Sequence, residues 1–197
     1  MLTKFEGRTY QEALQKCLRQ LECDETELYI DESETAEGKV QIVVLEKREV
    51  TDYIKEIIQN IANAVLTKID VKISDIDDVF NVSIFSEVNP ILIGKDGKNL
   101  QAIQIIIKQA VSKKFNRNIR ISVDVANYKN HKIKSLQHEV KRLAHEVLQS
   151  KIDVKLDPMN SYERRIVHTI ISEFEGLETM SEGEAPNRYV TIKYKGE

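Results

Sequence analysis

The stretch from Ile91 to Ile103, ILIGKDGKNLQAI, sets two glycines, two lysines and an aspartate inside a run of large aliphatics. A hydrophobic core needs none of these, so the four residues Gly94, Lys95, Asp96 and Gly97 call for another explanation. Glycine permits a sharp turn and lets another backbone approach without an intervening Cβ. A helix starting at Lys98 would aim free N–H groups and the positive end of its dipole at the loop. Lys95 and Lys98 add charge at the same place, which suits a phosphate cradle. The spacing is not that of a triphosphate-binding loop, which needs G-x-x-x-x-G-K and then Ser or Thr. It is not a dinucleotide fingerprint either, because no G-x-G precedes it. A plain tight turn between two helices accounts for a glycine pair equally well, so the surroundings decide.

Downstream of the loop, Leu100, Ile103, Ile107, Ala110 and Val111 recur at helical spacing, which predicts a helix over residues 98–115. Residues 119–125 then read as a strand. Upstream, Pro90 opens a short helical turn. Residues 71–74 and 79–85 form a hairpin around Asp75-Ile76-Asp77-Asp78. Those aspartates lack the glycine and glutamate of a calcium loop, so a solvated turn is expected. A helix over residues 52–68 precedes them, with Ile54, Ile57, Ile58, Ile61, Ala62 and Val65 on one face. The order is helix, strand, strand, helix, loop, helix, strand.

The flanks are smaller units. Residues 1–50 predict a strand, a helix capped by Thr9 with Glu12 in the capping-box position, a strand at 27–30, the polar stretch DESETAEGK and a β-branched strand at 40–45. Beyond residue 127, a helix over 128–150 buries Ile133, Leu136, Val140, Leu143, Ala144 and Val147. A short strand at 154–156 leads to a helix opened by Asp157 and Pro158, and strands near 177–180 and 189–194 follow. In that helix Arg164 and His168 lie four residues apart, on one face. Met159, Tyr162, Ile166, Ile170 and Phe174 are expected on another. The domains expected are 1–50, 51–127 and 128–197, and the class is α+β.

The formal charge of -3 over 197 residues hides a pattern. Residues 94–151 hold 13 Lys/Arg against 4 Asp/Glu, a balance of +9, and every other segment is acidic. Salt screens distant acids beyond about 8 Å, so a polyanion would meet the basic block locally. With no tryptophan and 6% aromatics, base stacking cannot dominate recognition. The charged first residues do not read as a signal peptide, and no apolar run approaches a membrane span, so a soluble cytoplasmic chain is expected. Cys17 and Cys23 fit no zinc or redox spacing and read as reduced thiols. No cofactor or metal is expected.

The pattern I-G-x-x-G-x-x-L, set between two helices after a hairpin, resembles the KH domain of the bacterial (type II) kind. In KH domains the G-x-x-G loop clamps the sugar-phosphate backbone of about four nucleotides. That resemblance implies contacts from Ile93, Gly94, Lys95, Asp96, Gly97 and Lys98. Asp96 departs from it, since many relatives carry a basic or neutral residue there. PMNSYERRIVH with TMSEGEAPNRYVTI resembles the single-stranded nucleic-acid-binding domain named for its Arg-three-residues-His motif. It implies Arg164 and His168 as the signature pair, with Arg165 and Arg188 beside them. FEGRTYQEALQKCLRQL resembles, more loosely, the start of the Jag domain. Together these parts resemble the bacterial Jag (KhpB) family: a βαββ Jag-type domain, a KH domain and the Arg-three-residues-His domain. Many relatives carry a long charged linker that this chain lacks.

The resemblance implies binding of single-stranded RNA and no enzymatic activity. It also implies a small companion KH protein as partner, homo- or hetero-dimers, a membrane-associated partner, and a role in cell elongation or envelope processes. Lys113, Lys114, Arg117, Arg120 and Lys132 would add electrostatic attraction. Gly97→Asp, or Lys95→Glu with Lys98→Glu, is expected to weaken RNA binding without unfolding the chain. A protein-interaction regulator, docked through the acidic N-terminal half or the KH sheet, is the alternative. An enzyme would need a nucleophile and base, or a Walker-type loop with a metal-binding acid, and neither pattern is present.

Overall fold

A computed structural model describes residues 2–35 and 38–196. The chain divides into two compact units, Met1–Ala126 and Asn127–Glu197.

The first unit opens with a three-stranded antiparallel sheet in the order β1-β3-β2, from strands β1 (Thr3–Gly7), β2 (Leu28–Glu34) and β3 (Val40–Glu46). Helix α1 (Tyr10–Leu21) covers one face and buries Ala13 and Cys17 against Phe5, Leu28, Ile42 and Val44. Burial pushes the Cys17 thiol up to about 11, so it stays protonated. The Thr9 hydroxyl accepts the Glu12 N–H as expected, but the Glu12 carboxylate reaches Arg8 N–H rather than closing the box on Thr9. Strand β2 runs on to Glu34, into the polar stretch expected to be loop. As an edge strand it pairs with β3 while its acids face water. Ala36 and Glu37 of that stretch lie outside the described residues.

The second sheet has the order β4-β5-β6, from β4 (Ile69–Ile76), β5 (Val79–Ser86) and β6 (Arg120–Val125). The β4–β5 hairpin turns on Asp77 and Asp78 alone, with φ of 52° and 57°. Two left-handed residues match the twist of the strands they join, so the turn is two residues rather than the four expected. Strand β6 runs parallel to β5, which demands a crossover. Helices α3 (Asn89–Ile93) and α4 (Lys98–Phe115) supply it. Phe80, Val82 and Ile84, alternate residues of β5, are buried, as are Ile54 and Ile58 of α2 (Lys47–Ala64) and Leu100, Ile107 and Val111 of α4. Helix α2 starts five residues earlier than expected because Val50, fully buried, extends its apolar stripe by one turn. This helix–strand–strand–helix–helix–strand arrangement is the one the sequence order implies.

The second unit packs α5 (Tyr128–Ser150) and α6 (Ser161–Ile171) on an antiparallel sheet of order β7-β9-β8, from β7 (Val154–Lys155), β8 (Leu177–Glu182) and β9 (Tyr189–Tyr194). Val140, Ala144, Val147, Val167, Ile171, Val190 and Ile192 form its center. Helix α6 is capped by Asn160, not by Asp157. Residues 156 and 159 already donate their N–H groups to Val190 and Arg188 in an extended run, which carries the chain past Pro158 before it coils. Asn160 accepts from Tyr162 and Glu163 N–H, and Glu163 returns a bond to Asn160 N–H, a complete capping box. The buried face of α6 is Val167, Ile170 and Ile171. Tyr162, expected among the apolar positions, is 61% exposed.

Candidate nucleic-acid interface

The glycine loop is held by backbone geometry on one side and a side-chain clamp on the other. Gly94 has φ 69° and ψ -177°, a region open essentially to glycine alone. Its N–H donates to Pro90 O at 2.9 Å. Lys95–Gly97 forms a single 3-10 turn, closed by Gly97 N–H on Gly94 O at 3.3 Å. Asn99 donates its amide to Ile91 O at 2.8 Å, tying the start of α4 back to α3. A Cβ on Gly94 would lie 2.5 Å from the Asn99 side chain, so the clamp occupies the space that a larger residue would need. Lys95, Asp96 and Lys98 are exposed, and Ile93 is half-buried just before them. Asp96 has φ 56°, a left-handed conformation that short polar side chains tolerate, which gives a local reason for its departure from the family pattern.

Gly97 is buried with φ 83°. Gly97→Asp therefore mixes backbone strain with any loss of binding, contrary to the expectation that it spares the fold. The exposed lysines offer the cleaner test.

The remaining cations of this unit separate into two kinds. Lys113 is exposed in the last turn of α4, and Lys114 Nζ lies 3.6 Å from the center of the Tyr53 ring. Arg117 is held by Asp31 at 2.6 Å and stacks on Tyr29, 4.6 Å from the ring center. Lys47 approaches the same ring at 5.3 Å and pairs with Asp75 at 2.7 Å and Asp78 at 3.0 Å. Asp75 near the end of β4 and Asp78 in the turn thus answer one lysine, and together these contacts fasten the first sheet to the second. Arg120 donates to Asp77 O at 2.9 Å. Helix α4 spans about 27 Å, so Arg117 and the glycine loop sit at opposite ends of it.

In the second unit Arg164 donates to Met159 O at 2.9 Å and to Ser161 Oγ at 3.1 Å. His168, half-buried, has both ring nitrogens in contact with hydroxyls, Nδ1 with Thr179 Oγ1 at 2.6 Å and Nε2 with Ser181 Oγ at 2.9 Å. Lys132 pairs with Glu163 at 2.8 Å. Arg165 and Arg188 are exposed. Sequence reasoning missed Asn99 and Thr179, because neither lies in a periodic pattern and each acts on a partner in a different element, Asn99 of α4 on Ile91 of α3 and Thr179 of β8 on His168 of α6.

Desolvation, and then the Arg164 charge, lower the His168 pKa below its usual value of 6.5. Below about pH 6.5 the unfolded chain therefore binds a proton that the folded unit resists. The stability of this unit is expected to fall as pH drops through that range. Thermal melts of the chain and of His168→Gln across pH 5 to 7.5 check it: the slope should flatten in the variant.

Residues 50–125 match the family described as KhpA/KhpB, KH domain, and residues 134–194 match the family of the Arg-three-residues-His domain. The RNA-binding protein KhpB of Clostridium symbiosum is 30% identical over 201 residues, covering 97% of this chain and 90% of that protein. The protein of the same name from Bacillus subtilis (strain 168) is 30% identical over 200 residues, 96% of each chain. That of Streptococcus pneumoniae (strain ATCC BAA-255 / R6) is 35% identical over 101 residues, 51% of this chain and 31% of that protein. With two relatives aligned along nearly their whole length and both domain families matched in order, this chain belongs to the KhpB family.

Proposed function

We propose that the chain binds single-stranded RNA and is a binding protein rather than an enzyme. The observation that carries this is the exposed Lys95-Asp96 tip, clamped between α3 and α4 by Asn99 with Lys98 beside it. The loop, from Ile93 through Gly94 and Gly97 to Lys98, takes the sugar-phosphate backbone, and Lys113 and Lys114 extend the attraction along α4. In the second unit Arg165 and Arg188 meet the strand, and Arg164 and His168 shape the surface beside them. Arg117, Arg120 and Lys132 serve the fold, since each already has a partner within the protein. Two modest sites on one chain gain from effective concentration. The relatives' shared name, RNA-binding protein KhpB, supports the reading. Among the described residues no helix is long and apolar enough to cross a membrane. The same reading implies a cytoplasmic location and a role in controlling transcripts.

The test is fluorescence anisotropy with a labelled single-stranded oligoribonucleotide across a salt series. Log affinity is expected to fall linearly with log salt, by about 0.7 per phosphate neutralised. Binding that ignores salt would sink the proposal.

A second reading, docking on a companion KH protein or on another copy, has one observation in its favor. Ile105 and Ile106 lie 54% and 52% exposed on α4. Pull-downs with and without ribonuclease separate the two readings: partners retained after nuclease favor protein docking.

A further inference from the structure

The second unit carries a cleft that the signature residues do not explain. It opens between α5 and α6, with Gln137 and Lys141 on one wall and Arg165 and Glu173 on the other. Ile166 and Ile170, both belonging to or packed against the core, line it. Its volume of about 310 Å³ sits at the small end of ligand sites, enough for one monomer unit but no duplex. Among the described residues, the side chains of Gln137, Lys141, Arg165 and Glu173 have no hydrogen bond or ion pair of their own. Nearby cations differ: Lys132, Arg142 and Arg164 are each engaged by Glu163, by Glu146, and by Met159 O with Ser161 Oγ.

We propose that this cleft between α5 and α6 binds one nucleotide of single-stranded RNA, with Lys141 and Arg165 on its phosphate. The inference rests on the RNA-binding reading and adds Gln137, Lys141 and Glu173 to it. Lys141 is four residues from Gln137, and Arg165 is one residue from Ile166. Each wall therefore combines a polar or charged group with the apolar floor. Arginine can grip phosphate with two parallel N–H bonds, and lysine adds a mobile charge. Ile166 and Ile170 offer an apolar surface to the sugar or base. The Gln137 carbonyl and the Glu173 carboxylate are acceptors suited to a ribose 2′-hydroxyl. With Arg164 and His168 already satisfied inside the protein, Arg165 is the cation that α6 offers to the cleft, facing Lys141 of α5.

The test uses the full chain and the same labelled single-stranded oligoribonucleotide. Lys141→Ala with Arg165→Ala is expected to weaken binding about tenfold and to reduce the salt slope by about 0.7, the contribution of the one phosphate the two side chains share. Lys195→Glu makes the same net change of charge at an exposed residue outside the cleft, and is expected to change affinity less than twofold. Ultraviolet crosslinking of the unaltered chain is expected to leave nucleotide adducts on residues 137–141 or 165–173, a readout that does not depend on any variant folding. An unchanged slope in the double variant, an equal loss in Lys195→Glu, or adducts confined to other segments overturns the cleft. If Lys95→Glu with Lys98→Glu still weakens binding in those cases, the broader RNA-binding reading stands. If the unaltered chain binds no RNA, both fail together.

Discussion

Replacing Lys95 and Lys98 together by glutamate is expected to weaken single-stranded RNA binding about 30-fold and to leave the unfolding midpoint unchanged. The binding loss follows from charge placed where a phosphate path meets the start of α4. Each exposed contact is worth about 1 kcal/mol, and two make about 2 kcal/mol, or roughly 30-fold. Stability is spared because neither side chain supports the loop. The conformation is held by Gly94 N–H on Pro90 O, by Gly97 N–H on Gly94 O and by Asn99 on Ile91 O, none of which uses a lysine. Anisotropy titrations paired with urea melts check both halves. Full-strength binding in the double variant would remove the loop from the interface. A collapse in stability would mean that the lysines hold the turn.

The second large effect contrasts two adjacent isoleucines. Ile107→Ala is expected to cost about 2–5 kcal/mol, because Ile107 is 0% exposed in the middle of α4 and its removal leaves a cavity under the sheet. Ile106→Ala, one residue away and 52% exposed, is expected to change stability by less than about 0.5 kcal/mol. Urea denaturation of both variants decides it: the Ile107→Ala midpoint drops with an unchanged m-value, and the Ile106→Ala curve overlays that of the unaltered chain. Because α4 also carries the glycine loop at its N-terminus, the share of RNA affinity that the loop supplies should be lost in Ile107→Ala at the temperature where that unit melts. Similar losses from both variants would mean that α4 is rotated from the face described.

Much of this molecule follows from short-range rules. The periodicity of Leu100, Ile103, Ile107 and Val111 places α4 from Lys98 to Phe115, and the stripe from Ile133 to Val147 places α5 from Tyr128 to Ser150, with both ends matching the structure. Helical spacing is strong over many residues, so long elements are legible. Ends and caps are less so. Thr9 is visible as a cap in the sequence, but the choice of Asn160 over Asp157 depends on the bonds from residues 156 and 159 to Val190 and Arg188. The β2 strand runs into acids that composition assigns to a loop, because an edge strand needs only one partner and can face water on its other side.

Local chemistry, then, is enough to reveal the glycine loop, the long helices, the basic block and the kinship of the domains, since each depends on residues close together along the chain. Folding alone settles which cations are spent. Arg117 goes to Asp31 and Tyr29, Arg120 to Asp77, Lys132 to Glu163 and Arg164 to Met159 and Ser161, whereas Lys95, Lys98, Lys113, Lys141, Arg165 and Arg188 stand exposed. A charge is counted from composition, but its partner is chosen by distance in three dimensions, and pairs such as Arg117 with Asp31, 86 residues apart, leave no trace in spacing.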